Sequence, residues 1–414
     1  MNICIKNGRL VDPKNGIDAQ LDLFIADGRI AAVGQAPAGF TADKTIEADG
    51  AVVCPGLIDL SVRLPSLESE LAAAIAGGVT TVVCPPDTKP VLDEPGLVER
   101  LIQRAEALGL ARVLPLGALT RNLEGQSLAS MAGLASAGCV AFSQADRPVT
   151  DLQSLYRAMQ YAATYDFTVW LRPQDYQLAR DGVAHDGEVA ARLGLAGIPV
   201  AAETVAIATL VELAKATGVR LHLMRISSAA GVAMVRDAQA KGARVTCDVA
   251  VHHLHLSEED IGYFNALARF DPPLRAVSDR AALRFGLAEG TVGAVCSDHT
   301  PTAEDGKLLP FGEADAGNPG LTLLLPLVLA WAEEAGLSLN TALARVTSNA
   351  AAIIGRDDLG HLAPGAVADV CVFDPAASWT ITPEAFSSVG RNSPLAGRTM
   401  KGRVLAVVAG GRPL

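Results

Sequence analysis

Apolar and polar positions alternate between two textures along this chain. From Gly56 to Leu64 the run GLIDLSVRL is apolar and strand-like, and Ser61 and Arg63, two apart, face the same side of it. An amphipathic helical stretch follows, then Gly77-Gly78, then a second apolar strand, Thr80–Cys84. That is a βαβ beginning. Six more apolar runs predict strands at Arg112–Leu116, Cys139–Ser143, Thr168–Leu171, Arg220–Ile226, Arg244–Val251 and Val292–Ser297. Helical periodicity fills the gaps at Pro95–Leu108, Asp151–Tyr165, Ala201–Thr217, Ala229–Ala240 and Ser278–Glu289. Eight strand–helix units are the count of a (β/α)8 TIM barrel, an α/β fold whose chemistry sits where the strands end. The Pro/Gly/Asp-rich stretch Thr300–Gly320 follows the last strand and is the best candidate for a loop at the mouth.

The two ends differ from this centre. Ile3–Ile5, Leu21–Ile25, Ile30–Val33 and Thr45–Glu47 are short apolar strands separated by Asn7-Gly8, Asp27-Gly28 and Asp49-Gly50 turns. Near the other end, Asp369–Phe373, Trp379–Ile381 and Val404–Val408 repeat the texture, with Lys401-Gly402 and Gly410-Gly411 as expected turns. The pattern predicts one composite β-sandwich domain from residues 1–54 plus 366–414, and a barrel domain from residues 55–365.

Composition narrows the function classes. With 414 residues, half of them hydrophobic, the chain has material for a large barrel and an accessory domain. Mean hydropathy is +0.29, yet no apolar run reaches the ~18 residues of a membrane span. The longest, Leu321–Ala332, contains Thr322 and Pro326 and reads as a buried helix. A net charge of −11 argues against a nucleic-acid partner. The N-terminal MNICIKNGRLVD reads as strand and turn, not as a signal peptide. Seven dispersed cysteines without a CxxC motif fit reduced core thiols in a cytoplasmic protein.

Several strings carry a family likeness: PGLIDL, GGVTTVVCPPDTKPVLD, ARLGLAGIP, VHHLHLSEE, DPPLR, SDHTP and APGAVADVCVFDP. In this order they resemble the dihydroorotases of the amidohydrolase superfamily, along nearly the whole chain. The resemblance implies an amidohydrolase-like TIM barrel carrying a composite sandwich. It also implies a place in pyrimidine biosynthesis, where active members use one or two zinc ions. Zinc needs lone pairs from imidazole, carboxylate or thiolate, and the bound hydroxide attacks the ring amide.

At the positions where the resemblance places those ligands, this chain differs. The family His-x-His of the first strand is Ser61 and Arg63 here. The bridging acid of an FSDDG-like motif falls on Gln144 or Ala145 in FSQAD, with Asp146 out of register. The HAED-like motif reads RPQD, placing Arg172 at its histidine. On Arg220–Ile226, His222 is present, but Arg225 holds the ligand position. Asp298 in SDHTP is the one retained acid. The substrate side departs as well: Pro65 stands at the carboxylate-gripping arginine, about Leu267 at the asparagine, and Thr302 at the histidine closing the motif. Guanidinium has no lone pair and stays protonated. If Arg63, Arg172 and Arg225 converge, they place like charges where a dication would sit, and each pair of unit charges at ~5 Å costs about 3 kcal/mol at an effective dielectric near 20. The expectation is a cationic, metal-free mouth with no cofactor, in which Asp298 pairs with one arginine and Asp175 or Asp87 with another.

The remaining histidines read as structural. His253-x-His255 and adjacent His252 are expected to pack and hydrogen-bond in a strand, His222 and His299 to support neighbours, and His185 and His361 to be solvated. Ser297, Asp298 and His299 are sequence neighbours and lack a nucleophile elbow, so a triad is not indicated. Strand-buried thiols such as Cys84 and Cys296 are expected to be inert.

The reading that follows is a dihydroorotase-like pseudoenzyme. The resemblance implies a structural partner for the catalytic subunit of aspartate transcarbamoylase, in a hetero- or homo-oligomer, with the activity supplied by another protein. One alternative is an active cyclic amidohydrolase whose reduced or relocated zinc site uses Asp298 and His252–His255. Another is a regulatory module binding carbamoyl aspartate or phosphate through the three arginines.

Overall fold

The eight apolar runs of the centre become eight parallel strands in the computed structural model, which describes residues 1–414. They are β1 (Leu57–Asp59), β2 (Val79–Cys84), β3 (Arg112–Ala118), β4 (Ala141–Ser143), β5 (Thr168–Leu171), β6 (Arg220–Leu223), β7 (Val245–Ala250) and β8 (Ala294–Cys296). Neighbours in sequence are neighbours in the sheet. The ring is joined where Val62 bridges His299 and the Arg63 N–H donates to the His299 carbonyl at 2.9 Å.

Alternation explains the packing. Ile58, Val83, Leu116, Ala141, Trp170, Ala250, Ala294 and Cys296 form one buried cluster. Their strand neighbours Leu57, Val82, Phe142, Val169, Val249 and Val295 belong to the larger one, which the flanking helices share. A strand buried on both faces reads as a continuous apolar run, as VTTVVC does in β2. Helices at Pro95–Leu108, Leu152–Thr164, Val200–Thr217, Ala229–Ala240 and Val277–Glu289 lie within a residue of expectation. The apolar run Leu321–Ala332 is buried, divided between a single 3-10 turn and the helix Leu324–Glu334. No helix is long and apolar enough to cross a membrane.

The two ends build the sheet domain. One sheet has six strands in the order Arg412–Pro413, Thr399–Ala409, Val370–Thr380, Val52–Pro55, Arg9–Asp12, Ile17–Gln20. The other has four: Arg29–Val33, Leu23–Ala26, Ile3–Lys6, Lys44–Glu47. Ile3, Ile5, Leu23, Val53, Val370 and Val408 share its core. The Asp27-Gly28 turn has both residues at positive φ, 50° and 74°, as a two-residue hairpin of matching twist requires. Two details differ from the sequence reading. Arg9–Asp12 and Ile17–Gln20 are strands too short and polar to stand out. Lys401-Gly402 is not a turn: Gly402, at φ 90°, lies inside Thr399–Ala409, where the pairing with Val370–Thr380 shifts register. A bulge needs the same residue types as a turn.

Candidate functional site

The C-terminal ends of the strands turn sharply at three places. Ala145 after β4, Arg225 after β6 and Asp298 after β8 have φ of 50°, 55° and 50°. Left-handed backbone costs a non-glycine residue about 1–2 kcal/mol, and here it occurs at three points around one opening. Asp146, Arg225 and Asp298 all meet in that opening.

Asp146 is its centre. One carboxylate oxygen accepts from Arg63 Nη2, and the other from Arg225 Nη2 and, at 3.4 Å, from Arg172 Nη1. Each arginine has a further carboxylate. Arg63 Nε donates to Asp87 at 3.0 Å, and its Nη1 to Thr300 Oγ1 at 2.9 Å. Arg172 forms a two-pronged pair with Asp271, Nη1 to Oδ2 at 2.6 Å and Nη2 to Oδ1. Arg225 Nη1 donates to Asp298 Oδ1 at 2.8 Å. Ser61 Oγ lies 3.5 Å from the same oxygen. The arginines thus converge as expected, and Asp298 and Asp87 are counter-ions.

Other expectations fail. Asp175 is not a counter-ion: it caps the helix Tyr176–Ala179 by accepting from Leu178 N–H at 2.9 Å. The mouth is not cationic. Three arginines face four aspartates, Asp87, Asp146, Asp271 and Asp298, for a formal sum of −1. Sequence reasoning set Asp146 aside because it is shifted from the family acid, and it overlooked Asp271. The usable signal was electrostatic: three converging guanidiniums require carboxylates, and Asp271 opens the DPPLR string while Asp146 ends the FSQAD segment beside the missing family acid.

Electrostatics agree with the geometry. Burial alone raises the Asp146 carboxyl, but Arg225, Arg63 and Arg172 outweigh it and hold it well below the usual carboxylate range. For Asp271, burial is again opposed and outweighed, chiefly by Arg172. At Asp298 burial wins over Arg225 and Arg63, and the carboxyl is raised. Side-chain exposure is 5% for Arg172 and 2% for Arg225, so these pairs are little screened by solvent.

Gln144, which follows β4, turns away from this clasp. Its Oε1 accepts from Thr120 Oγ1 at 3.0 Å. Below the arginines runs a second polar chain. Thr246 Oγ1 meets His222 Nδ1 at 2.8 Å, His222 Nε2 meets Asp248 at 2.9 Å, and Asp248 accepts the Arg225 N–H at 2.7 Å. His222 therefore braces the turn that aims Arg225. Asp59, fully buried, holds the Ser297 N–H at 2.9 Å and the Ser61 N–H at 3.2 Å. Burial pushes its carboxyl up to about 7.

The other histidines divide. His299 pairs with Glu70 at 2.8 Å and accepts the Gly320 N–H at 3.0 Å. His252, His253 and Leu254 form a single 3-10 turn after β7, not part of a strand. His253 Nε2 meets the Pro272 carbonyl at 3.1 Å, and His255 Nε2 the Leu327 carbonyl at 2.8 Å. The pair with metal-like spacing is thus committed to two separate carbonyls. Burial lowers His252 to about 3 and His253 and His255 to about 4. His361 is partly exposed and bonds the Asp357 carbonyl at 2.8 Å. His185 is not solvated. It is 7% exposed, because the short pairing of Ala184–His185 with Gly197–Ile198 folds it under Arg275, whose Nη1 lies 3.2 Å from its Nδ1. All seven cysteines are buried as free thiols.

A zinc ion does not fit this mouth. Five of the six positions where the resemblance places ligands are Ser61, Arg63, Gln144, Arg172 and Arg225. The sixth, Asp298, is held by a guanidinium. No three His, Cys, Asp or Glu side chains are grouped to hold a metal. What the arrangement can do is brace the mouth: a clasp of seven charged side chains from seven strand ends ties the loops together.

Comparison with known proteins follows the same lines. A family model described as "Dihydro-orotase-like" matches residues 50–230. The chain is 44% identical to a dihydroorotase-like protein of Pseudomonas putida over 412 residues, covering 98% of this chain and 97% of that one. It is 40% identical to a dihydroorotase of Geobacter sp. (strain M21) over 420 residues, covering 100% and 99%. Among solved structures, the L-hydantoinase (dihydropyrimidinase) from Arthrobacter aurescens superposes with a TM-score of 0.87 at 23% identity, covering 99% of this chain and 95% of that one. That likeness is one of fold.

Proposed function

The chain belongs to the dihydroorotase-like family, and from that membership we propose that it is a non-catalytic member acting as a structural partner of the aspartate transcarbamoylase catalytic subunit in cytoplasmic pyrimidine synthesis. The observation that carries this reading is Asp146 held by Arg63, Arg172 and Arg225 where the family likeness places metal ligands. Such a clasp leaves no set of lone pairs to hold a metal-bound hydroxide. It does offer a rigid barrel whose loops are fixed in place, which suits a scaffold.

A second reading, an active cyclic amidohydrolase, has its own support. Relatives of full length, among them those of Geobacter and of Syntrophotalea carbinolica at 41% identity, carry the name dihydroorotase. Against it, Asp298 is occupied by Arg225, and His253 and His255 bond separate carbonyls. The anion-binding reading is weaker, because the three guanidiniums already hold carboxylates of the chain itself. The test is carbamoyl aspartate cyclisation with zinc supplied, alone and with the transferase subunit. The scaffold reading expects no turnover from the chain alone and a stable complex with the transferase. Zinc-dependent turnover by the isolated chain would favour the second reading.

A further inference from the structure

Two loops leave the barrel after β7 and β8, residues 251–276 and 297–320, and they carry Asp271 and Thr300 of the clasp. Each also raises large apolar side chains into solvent. Tyr263 is 88% and Leu308 81% exposed, and beside them Phe264 and Leu309 are exposed as well. Tyr263 and Phe264 pack edge to face with ring centroids 5.2 Å apart. Phe264 has φ 59°, a conformation that a bulky side chain rarely adopts. An aromatic pair held outward on unfavourable backbone points to a use outside the fold.

The loops are pinned to each other. Lys307 Nζ reaches from the second loop to the carbonyls of Ala266 and Arg269 in the first, each at 3.3 Å, and to that of Asp315 at 2.7 Å. Arg269 Nη1 returns to the carbonyls of Phe311 and Gly312, both at 2.9 Å. The apolar side chains are therefore presented by a fixed platform, which lowers the ordering cost of binding. Its rim is acidic. Glu259, Glu304, Asp305, Glu313 and Asp315 are exposed, whereas Lys307 and Arg275 are buried and Arg269 is partly so.

We propose that Tyr263, Phe264, Leu308 and Leu309 anchor this chain on a partner protein that offers an apolar recess rimmed by lysine and arginine. The inference rests on the scaffold reading and places the transferase subunit at the barrel mouth. Charge excludes the other occupants. A second copy would bring an identical acidic rim on a chain of net charge −11, and anionic lipid headgroups would be repelled in the same way. Aromatic anchors at the centre of a charged rim are the usual form of an interface hot spot.

The test is sedimentation of the full-length chain with the transferase subunit of the same organism. Three variants are compared: Tyr263→Ser with Leu308→Ser; Glu304→Lys with Asp305→Lys and Glu313→Lys; and, as a charge-matched control, Glu94→Lys with Glu99→Lys and Glu106→Lys, exposed residues just before and along Pro95–Leu108. Retained melting temperatures establish folding. The expected result is a wild-type complex, at least tenfold weaker in the first two variants and unchanged in the third. A serine variant binding as tightly as wild type overturns the docking surface and leaves the scaffold reading standing. No wild-type complex overturns both. Self-association, or flotation with phosphatidylserine vesicles, that is lost in the serine variant replaces the partner by a second copy or a lipid surface and overturns the proposal.

Discussion

Replacing Asp146 by alanine removes the one carboxylate that all three arginines share. Each pair at ~4 Å contributes about 4 kcal/mol of attraction at an effective dielectric near 20, before desolvation is subtracted. The Asp146 side chain is 27% exposed, so solvent already carries part of its charge. Arg225, 2% exposed, would keep only Asp298 as a paired carboxylate. Breaking a buried pair from one side costs about 3–5 kcal/mol, and the partial exposure places Asp146→Ala near the lower end, about 3 kcal/mol. Urea unfolding followed by circular dichroism reads this directly, with a fall in melting temperature of a few degrees. Asp271→Ala is the internal comparison. The Asp271 carboxylate is 41% exposed and pairs with Arg172 alone, so after discounting for solvent its loss is about 1 kcal/mol. Acetate, entering the vacated place, should restore part of the stability to Asp146→Ala and none to wild type. An Asp146→Ala protein within about 0.5 kcal/mol of wild type, the range of an ordinary surface change, would refute the clasp.

The remaining predictions concern pH, metal and the brace under Arg225. Burial lowers His252, His253 and His255 below the ordinary value of about 6.5, so their neutral forms stabilise the fold above that pH and the stability is lost as pH falls toward 4. Asp59, raised to about 7, has the opposite sign: it gains stability as pH falls from 7 toward 4. Asp59→Asn should therefore steepen the acid side of a melting-temperature profile, and an unchanged slope would count against the assignment. Changing Ser61, Arg63, Arg172 and Arg225 together to histidine leaves four aspartates without guanidinium partners. That protein should be raised in melting temperature by zinc, which wild type should not, while carbamoyl aspartate turnover stays absent because Pro65 and Thr302 remain. His222→Leu strips Asp248 of a buried partner and should cost about 3 kcal/mol in urea unfolding; a cost below about 1 kcal/mol would remove His222 from its bracing role.

Much of the architecture was legible because the barrel enforces its own pattern. A strand covered on both faces must be apolar throughout, so β2 and β5 stand out with no help from neighbours. The sheet domain was harder to read. Arg9–Asp12 and Ile17–Gln20 pair with each other through backbone, and Gly402 marks a bulge with the residue that elsewhere marks a turn. At the mouth, the family resemblance located Arg63, Arg172 and Arg225, and charge named Asp298 and Asp87 among their partners but missed Asp146 and Asp271. Asp146 reaches them through a turn at left-handed Ala145, and no local propensity announces an alanine at positive φ. His185 escaped for the same reason: its burial comes from a two-residue pairing formed only once the chain has folded.

We propose that guanidinium and carboxylate groups stand at the mouth of this barrel in place of a metal centre. Elemental analysis of the purified full-length chain, after incubation with excess zinc and desalting, tests it most directly. The expected result is trace zinc, far below one ion per chain. One or two tightly held zinc ions per chain would contradict it.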